Sequence, residues 1–260
     1  MAPLHAESTG EGPTLVLAHG FTQTGHLWGR FGRMVGEGRR VVSVDLPGHG
    51  GSAEVEADLV AGGALLAGAG GTEPFDLLGY SLGARFAMHA ALGAPDRIAR
   101  LVLISATAGI EDDEARDERR RRDEKTAARL AGEPDVDAFV TSWLAAPMFA
   151  TLREAGTDER RRNTPAGLAS SLRLAGAGTQ TPLWHRLGEL TMPVLVLAGA
   201  TDPRYQALGA RLASGVAHGA FALIPGAGHA AHLEQPAVTA TIVRSWLAST
   251  DRSEPRGPDP

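Results

Sequence analysis

Short apolar runs bounded by turn residues recur along the chain, at residues 14–18, 40–45, 75–80, 100–105, 193–199 and 220–225. They are rich in valine, leucine and isoleucine and lack the strict alternation of a half-exposed strand. Strands buried on both faces of a parallel sheet read this way. Helix-length stretches follow at 81–92, 204–213 and 236–247. Strand and helix therefore alternate, and the pattern predicts an α/β fold with a mostly parallel, doubly wound sheet.

The alternation breaks between Thr107 and Gly188. This stretch holds no strand-like run. Its three segments "EDDEARDERRRRDEKTAARLAG", "DVDAFVTSWLAAPMF" and "GLASSLRLAG" all read as helical. The expected organisation is a core built from 1–106 and 189–248 with a helical cap, 107–188, inserted into it. The cap would cover the carboxyl ends of the strands, where open α/β sheets bind ligands. The proline-rich, charged tail, 249–260, is expected to be disordered.

Composition narrows the function classes. A chain of 260 residues with 43% hydrophobic residues suits one α/β domain with an insertion. A formal charge of -5 gives no support to a nucleic-acid or membrane-surface partner. The absence of cysteine excludes disulfides, thiolate metal sites and a cysteine nucleophile. The start "MAPLHAESTGEGPT" has neither the basic nor the apolar region of a signal peptide, and no run reaches the roughly 18 apolar residues of a membrane span. The expectation is a cytoplasmic protein, and nothing here speaks to oligomeric state.

The chemistry centres on Gly79-Tyr80-Ser81-Leu82-Gly83, a G-x-S-x-G pentapeptide between a strand-like run and a helix-like one. In that context it is the nucleophile elbow of an α/β-hydrolase fold, a strained turn that exposes the serine hydroxyl. A serine hydroxyl needs a histidine to take its proton and an acid to orient that histidine. In this fold the order along the chain is serine, acid, histidine. Asp202 follows the run "PVLVLAG", and His229 lies in "GAGHAAH" after the last run, so Ser81, Asp202 and His229 form the candidate triad. Asp202 also fits a turn or helix cap before Pro203. Asp45 and Asp76 precede the serine and break the order, while His19, His49 and His232 compete less well for the base because only His229 follows the final strand's turn directly. A metal shared by His229 and His232 would need further clustered ligands, so no metal is expected. His19-Gly20-Phe21 resembles an oxyanion loop, which nominates the backbone N–H groups of Phe21 and Leu82 as donors to a developing oxyanion.

Arg85 stands one helical turn past the serine, where a carboxylate ligand would be favoured and a neutral ester would not need it. An ion pair within the protein is the alternative. The cap adds runs at Arg119–Arg122 and Arg160–Arg162, but residues 111–125 hold eight acids against six bases, so most of these charges suit a solvated, i,i+4-paired face.

Taken together, "VDLPGHGGSA", "LLGYSLGAR", "DERRRRDEKTA", "SWLAAPMFATL" and "GLASSLRLAGAGTQTPLW" resemble the 2-succinyl-6-hydroxy-2,4-cyclohexadiene-1-carboxylate synthase family of menaquinone biosynthesis. The resemblance runs from Thr14 to Leu247. It implies a lyase that eliminates pyruvate from a tricarboxylate, with the triad serine as base and no cofactor or metal. Ser81, Asp202 and His229 match that family's triad, and Phe21 and Leu82 its oxyanion donors. Tyr80, Arg85, Arg119 and Trp143 match residues lining its substrate site. A third binding arginine precedes Asn163, for which Arg161 is taken among three adjacent arginines. The implied partner is a small polycarboxylate. A serine hydrolase acting on an acidic ester or a C–C diketone uses the same triad, and a silent binding protein for a small acid is the remaining reading.

Overall fold

The structure, a computed structural model, describes residues 2–152 and 156–250. Seven strands form one sheet in the order β1-β3-β2-β4-β5-β6-β7. They are β1 (Ala6–Thr9), β2 (Thr14–Ala18), β3 (Arg40–Val44), β4 (Phe75–Tyr80), β5 (Ile98–Ile104), β6 (Val194–Gly199) and β7 (Gly219–Ile224). All neighbours run parallel except β1, which pairs antiparallel with β3 at the edge. The six strands read from apolar runs are present with ends shifted by at most two residues. β1 was not foreseen. Its four residues, AEST, are all exposed, so no apolar run marks it.

Helices α1 (Gly29–Val35), α2 (Leu59–Ala69) and α3 (Leu82–Gly93) follow the early strands. Then come α4 (Asp113–Leu130), α5 (Asp137–Leu144), α6 (Thr157–Arg160) and α7 (Pro165–Ala175), all between β5 and β6. The chain closes with α8 (Pro203–Ser214), α9 (Ala231–Glu234) and α10 (Pro236–Ser249). Ser249, the first residue assigned to the tail by sequence, instead ends α10, whose last turn is closed by the Thr250 N–H. Residues 251–260 lie outside the described residues.

Successive strand residues feed two separate cores, because side chains alternate across a sheet. Val16, Leu77, Leu101 and Val194 pack with Leu66 of α2, Phe86 of α3 and Leu212 of α8. Leu15, Leu78, Val102 and Leu195 pack on the other face with Phe31 of α1 and Val243 of α10. A third cluster belongs to the inserted helices, with Leu130, Phe139, Val140, Leu168 and Leu172 at its centre. Phe21 packs against both the first and the third clusters, joining the inserted helices to the sheet.

Asp76, one of the acids passed over by chain order, serves the sheet. It is 2% exposed and receives a two-pronged contact from Arg100 of the neighbouring strand, at 2.6 and 2.8 Å. Arg39 approaches the same carboxylate, and Arg100 also donates to the Leu247 carbonyl, tying α10 to the sheet. Removing one partner of a buried pair strands the others. Asp76→Ala is therefore expected to cost about 3–5 kcal/mol of folding stability in urea unfolding. A loss below about 1 kcal/mol would show that the network is not holding the sheet to α10.

Candidate active site

The elbow is built by close approach of backbone. Ser81 follows β4 and precedes α3 with φ 51° and ψ -104°, a left-handed conformation that side chains rarely adopt. Its N–H is anchored on the Ile104 carbonyl at 2.9 Å. A Cβ on Gly83 would lie 1.9 Å from the Ala18 carbonyl oxygen, and one on Gly79 2.5 Å from the Gly83 oxygen. Only glycine fits either place.

Two loops at the carboxyl ends of β6 and β7 bring the partners to this serine. His229 Nε2 lies 3.2 Å from Ser81 Oγ, and His229 Nδ1 lies 3.2 Å from Asp202 Oδ2. The imidazole is buried. With Asp202 accepting at Nδ1, the ring carries its proton there and presents a lone pair at Nε2 to the serine hydroxyl. Asp202 also caps α8 by accepting from the Tyr205 N–H at 3.2 Å. Partial burial raises its carboxyl pKa, but the His229 and Tyr205 hydrogen bonds outweigh that and hold it below the usual range. Both roles read for Asp202, helix cap and partner of the histidine, coexist on one carboxylate.

The loop after β2 turns tightly at Gly20–Gln23. The Gln23 N–H donates to the Gly20 carbonyl at 3.1 Å, and the Gly20 N–H donates to Gln23 Oε1 at 3.0 Å. His19 supports it, bonding the Gly20 carbonyl through Nδ1 at 2.8 Å and accepting the Leu46 N–H through Nε2 at 3.0 Å. Thr22 in this turn has φ 67°. Phe21 and Leu82 line the cavity beside Ser81. Leu82 opens α3, so its N–H has no acceptor within the helix.

A cavity of about 420 Å³ lies between the strand ends and the inserted helices. Ser81, Asp202 and His229 line it together with Phe21, Leu82, Tyr80, Arg85, Arg119 and Trp143. Arg161 does not. It is exposed and pairs with Asp137 at 2.9 Å and Asp158 at 2.7 Å. The arginine that lines the cavity is Arg160, 1% exposed, whose guanidinium donates to Thr22 Oγ1. One residue turns a helix by about 100°, so a register error of one sends the side chain out. Asn163 held the signal: it is 5% exposed, and the residue three positions before it shares its side of the turn. Sequence reasoning also passed over Gln23, Tyr205 and Arg204, which line the same cavity.

The arginines differ in their partners. Arg85 is 8% exposed and donates to the Ala175 carbonyl at 2.7 Å. No carboxylate among the described residues lies within ion-pair distance of it. Burial, with Arg119 nearby, lowers its pKa to about 10, so it remains a cation at neutral pH. Burial likewise lowers Arg160 to about 10, with Tyr80 opposing. Arg119 binds Asp123 at 2.8 Å. Burial pushes the Tyr80 phenol well above its usual range, so it stays a neutral hydroxyl.

Comparison places this architecture among known proteins. Residues 15–242 match the model of the alpha/beta hydrolase family, so the chain is an enzyme fold of that class. It is 35% identical over 244 residues to the 2-succinyl-6-hydroxy-2,4-cyclohexadiene-1-carboxylate synthase of Escherichia coli O1:K1, covering 86% of this chain and 90% of that one. The MenH structure from S. aureus superposes with a TM-score of 0.86 at 25% identity, covering 95% and 98% of the two chains. A thermophilic esterase from Thermogutta terrifontis, solved with malate bound, follows at a TM-score of 0.78 and 27% identity over 95% of this chain and 93% of that one. The chain belongs to the alpha/beta hydrolase family and, within it, to the family of these synthases.

Three histidines around the site are buried and neutral. Burial, the largest influence on each, pushes His19 to about 4 and His49 and His232 to about 3. His232 packs its ring on Tyr80, with centroids 4.3 Å apart, and neither of its nitrogens has a hydrogen-bond partner among the described residues. These pKa values are depressed relative to about 6.5 in the unfolded chain. The unfolded state therefore takes up protons first, so stability is fullest above about pH 6.5 and falls as pH drops toward 4 and then 3. Urea unfolding between pH 7 and 4.5 is expected to show a loss approaching about 1.4 kcal/mol per pH unit for each histidine, and His232→Leu should flatten the slope. An unchanged slope in that variant would mean that His232 titrates normally in the folded protein.

Proposed function

We propose that this protein eliminates pyruvate from 2-succinyl-5-enolpyruvyl-6-hydroxy-3-cyclohexene-1-carboxylate, with Ser81 as the base. The observation that carries the reading is the convergence of Arg85, Arg119 and Arg160 on the cavity that Ser81 and His229 share. Arg122 and Arg204 line the cavity too. Its wall is therefore rich in guanidinium groups, which suits a substrate with three carboxylates, and charge-assisted contacts are the strong ones. The family membership of the chain supports the same choice.

The chemistry follows from the positions of the double bonds. The substrate is a 3-ene and the product a 2,4-diene, so a proton leaves C2 and the enolpyruvyl oxygen leaves C5. The C2 proton is acidic because C2 lies beside the succinyl ketone and is allylic. Ser81 Oγ takes it while passing its own proton to His229 Nε2. Asp202 stabilises the imidazolium that forms. Negative charge moves to the ketone oxygen, where the N–H groups of Phe21 and Leu82 receive it. Oxyanion donors of this kind contribute about 3–4 kcal/mol each. As that charge returns, the double bonds shift to C2–C3 and C4–C5. Pyruvate departs as its enolate and is protonated in turn.

Arg85, a buried cation without a carboxylate partner among the described residues, anchors one carboxylate next to the serine. Tyr80 and Trp143 shape the walls, and Arg119 and Arg160 hold the remaining carboxylates. The same serine and oxyanion donors would suit ester hydrolysis, so the test sets the two reactions side by side. Purified protein is given the substrate, generated in situ, and pyruvate release is followed against spontaneous decay and against p-nitrophenyl ester cleavage. Fast pyruvate release with feeble ester cleavage is expected. Ser81→Ala should lose about 10²–10⁴-fold in rate, and Arg85→Ala about 10–100-fold in kcat/KM, the cost of one charge-assisted contact. Pyruvate release no faster than background, beside vigorous ester cleavage, would overturn the lyase.

A further inference from the structure

The base is held by more than Asp202. His229 sits in the loop between β7 and α9, and three backbone groups around it are gripped by side chains. The Gly228 N–H donates to Glu234 Oε2 at 2.8 Å, and the Ala230 N–H donates to Glu234 Oε1 at 2.9 Å. The His229 carbonyl accepts from Ser105 Oγ at 2.7 Å. Ser105 is itself fixed at the end of β5, its N–H on the Leu197 carbonyl at 2.8 Å. The two oxygens of one carboxylate thus take the N–H groups immediately before and after the histidine.

The same carboxylate reaches the insertion. Thr151, in the segment that links the inserted helices α5 and α6, donates its hydroxyl to Glu234 Oε2. Glu234 therefore carries three donors, two from the histidine loop and one from the insertion. Phe149, two residues before Thr151, lies edge-on to the His229 ring with centroids 6.0 Å apart.

We propose that Glu234 is a positioning residue for the base, and that through Thr151 it ties the seating of the insertion to the placement of His229 Nε2 against Ser81. A carboxylate suits this place for a reason beyond shape. Every group it meets is a donor, so both oxygens must accept. An amide of the same size would turn an NH₂ toward an N–H or a hydroxyl and lose at least one bond. The reach of His229 to Ser81 and Asp202 is already 3.2 Å on each side. Further loosening of the loop would weaken proton transfer, since a displacement of about 1 Å costs on the order of 100-fold in rate.

The inference rests on the reading of Ser81 and His229 as the reacting pair, and its test is chosen to stand apart from the identity of the substrate. The reactivity of Ser81 toward a fluorophosphonate measures how well His229 activates it, whatever the natural reaction. In Glu234→Gln, checked as folded by circular dichroism, labelling is expected to slow by about ten-fold or more, and kcat for pyruvate release to fall in parallel with KM within about two-fold. A purely structural contact would lower the melting temperature and leave the labelling rate of the folded protein alone. Thr151→Val, which keeps both backbone bonds, should slow labelling by a smaller factor of about three. Wild-type labelling in folded Glu234→Gln would overturn the proposal, and wild-type labelling in Thr151→Val would overturn its link to the insertion. Should Glu234→Gln fail to fold, the Thr151→Val result decides. If the wild-type protein releases no pyruvate while labelling still falls in Glu234→Gln, the assigned substrate fails and the positioning role stands.

Discussion

Helix α3 lies so close to the ends of β2 and β4 that only a hydrogen atom fits at Gly83, against Ala18, and at Gly79, against Gly83 and Ala84. That contact sets how steeply the chain turns after β4, and so it sets the strained backbone of Ser81. The turn aims the serine hydroxyl away from the sheet and leaves the N–H of Leu82 without a helical acceptor. The loops after β6 and β7 then need only reach the serine from neighbouring strand ends. Strand order does this by itself, because β4, β5, β6 and β7 lie side by side in parallel. The approach of His229 and Asp202 to Ser81 is a consequence of parallel strands β4, β6 and β7 ending on the same side of the sheet.

Charge is the second constraint. Arg85 and Arg160 sit in surroundings that disfavour cations, as their lowered pKa values record. For Arg85, which has no carboxylate within ion-pair distance among the described residues, a carboxylate entering the cavity offsets the cost of burial. Arg119, held by Asp123, is part of an ion pair before any ligand arrives. The cavity thus offers Arg119, already paired, beside Arg85, which has no such partner among the described residues. Its aromatic walls come from Phe21, Trp143 and Phe149.

The central strands were legible because burial on both faces removes polar residues from them, and the elbow because close approach demands glycine at two fixed spacings. The order of serine, acid and histidine singled out Asp202 over Asp45 and Asp76, and the structure gives the latter two other partners: Asp45 accepts from the Gly25 and Gly51 N–H groups, and Asp76 binds arginines. What escaped was structure without a periodic signature. Strand β1 is exposed throughout, and α2, "LVAGGALLAGA", is apolar on every side and shows no polar stripe. Arg160 was lost among three identical neighbours, since composition cannot tell which way a short helix faces. Glu234 was invisible for another reason: its partners are two backbone N–H groups and a hydroxyl far away in the chain, which no sequence pattern displays.

Asn163 carries a consequence for how such a protein can change over time. Its amide donates to the carbonyls of Thr22 and Arg160, each at 2.9 Å, and accepts the Gly50 N–H at 3.1 Å. One side chain of the insertion thereby fixes the turn after β2, the loop after β3 and the last residue of the short helix α6. The insertion is not an interchangeable lid on a finished enzyme. A chain that exchanged it for another would keep Ser81, Asp202 and His229 but lose the bonds that shape the turn beside them. New specificities on this scaffold are therefore more accessible by substitution within the insertion than by its wholesale replacement.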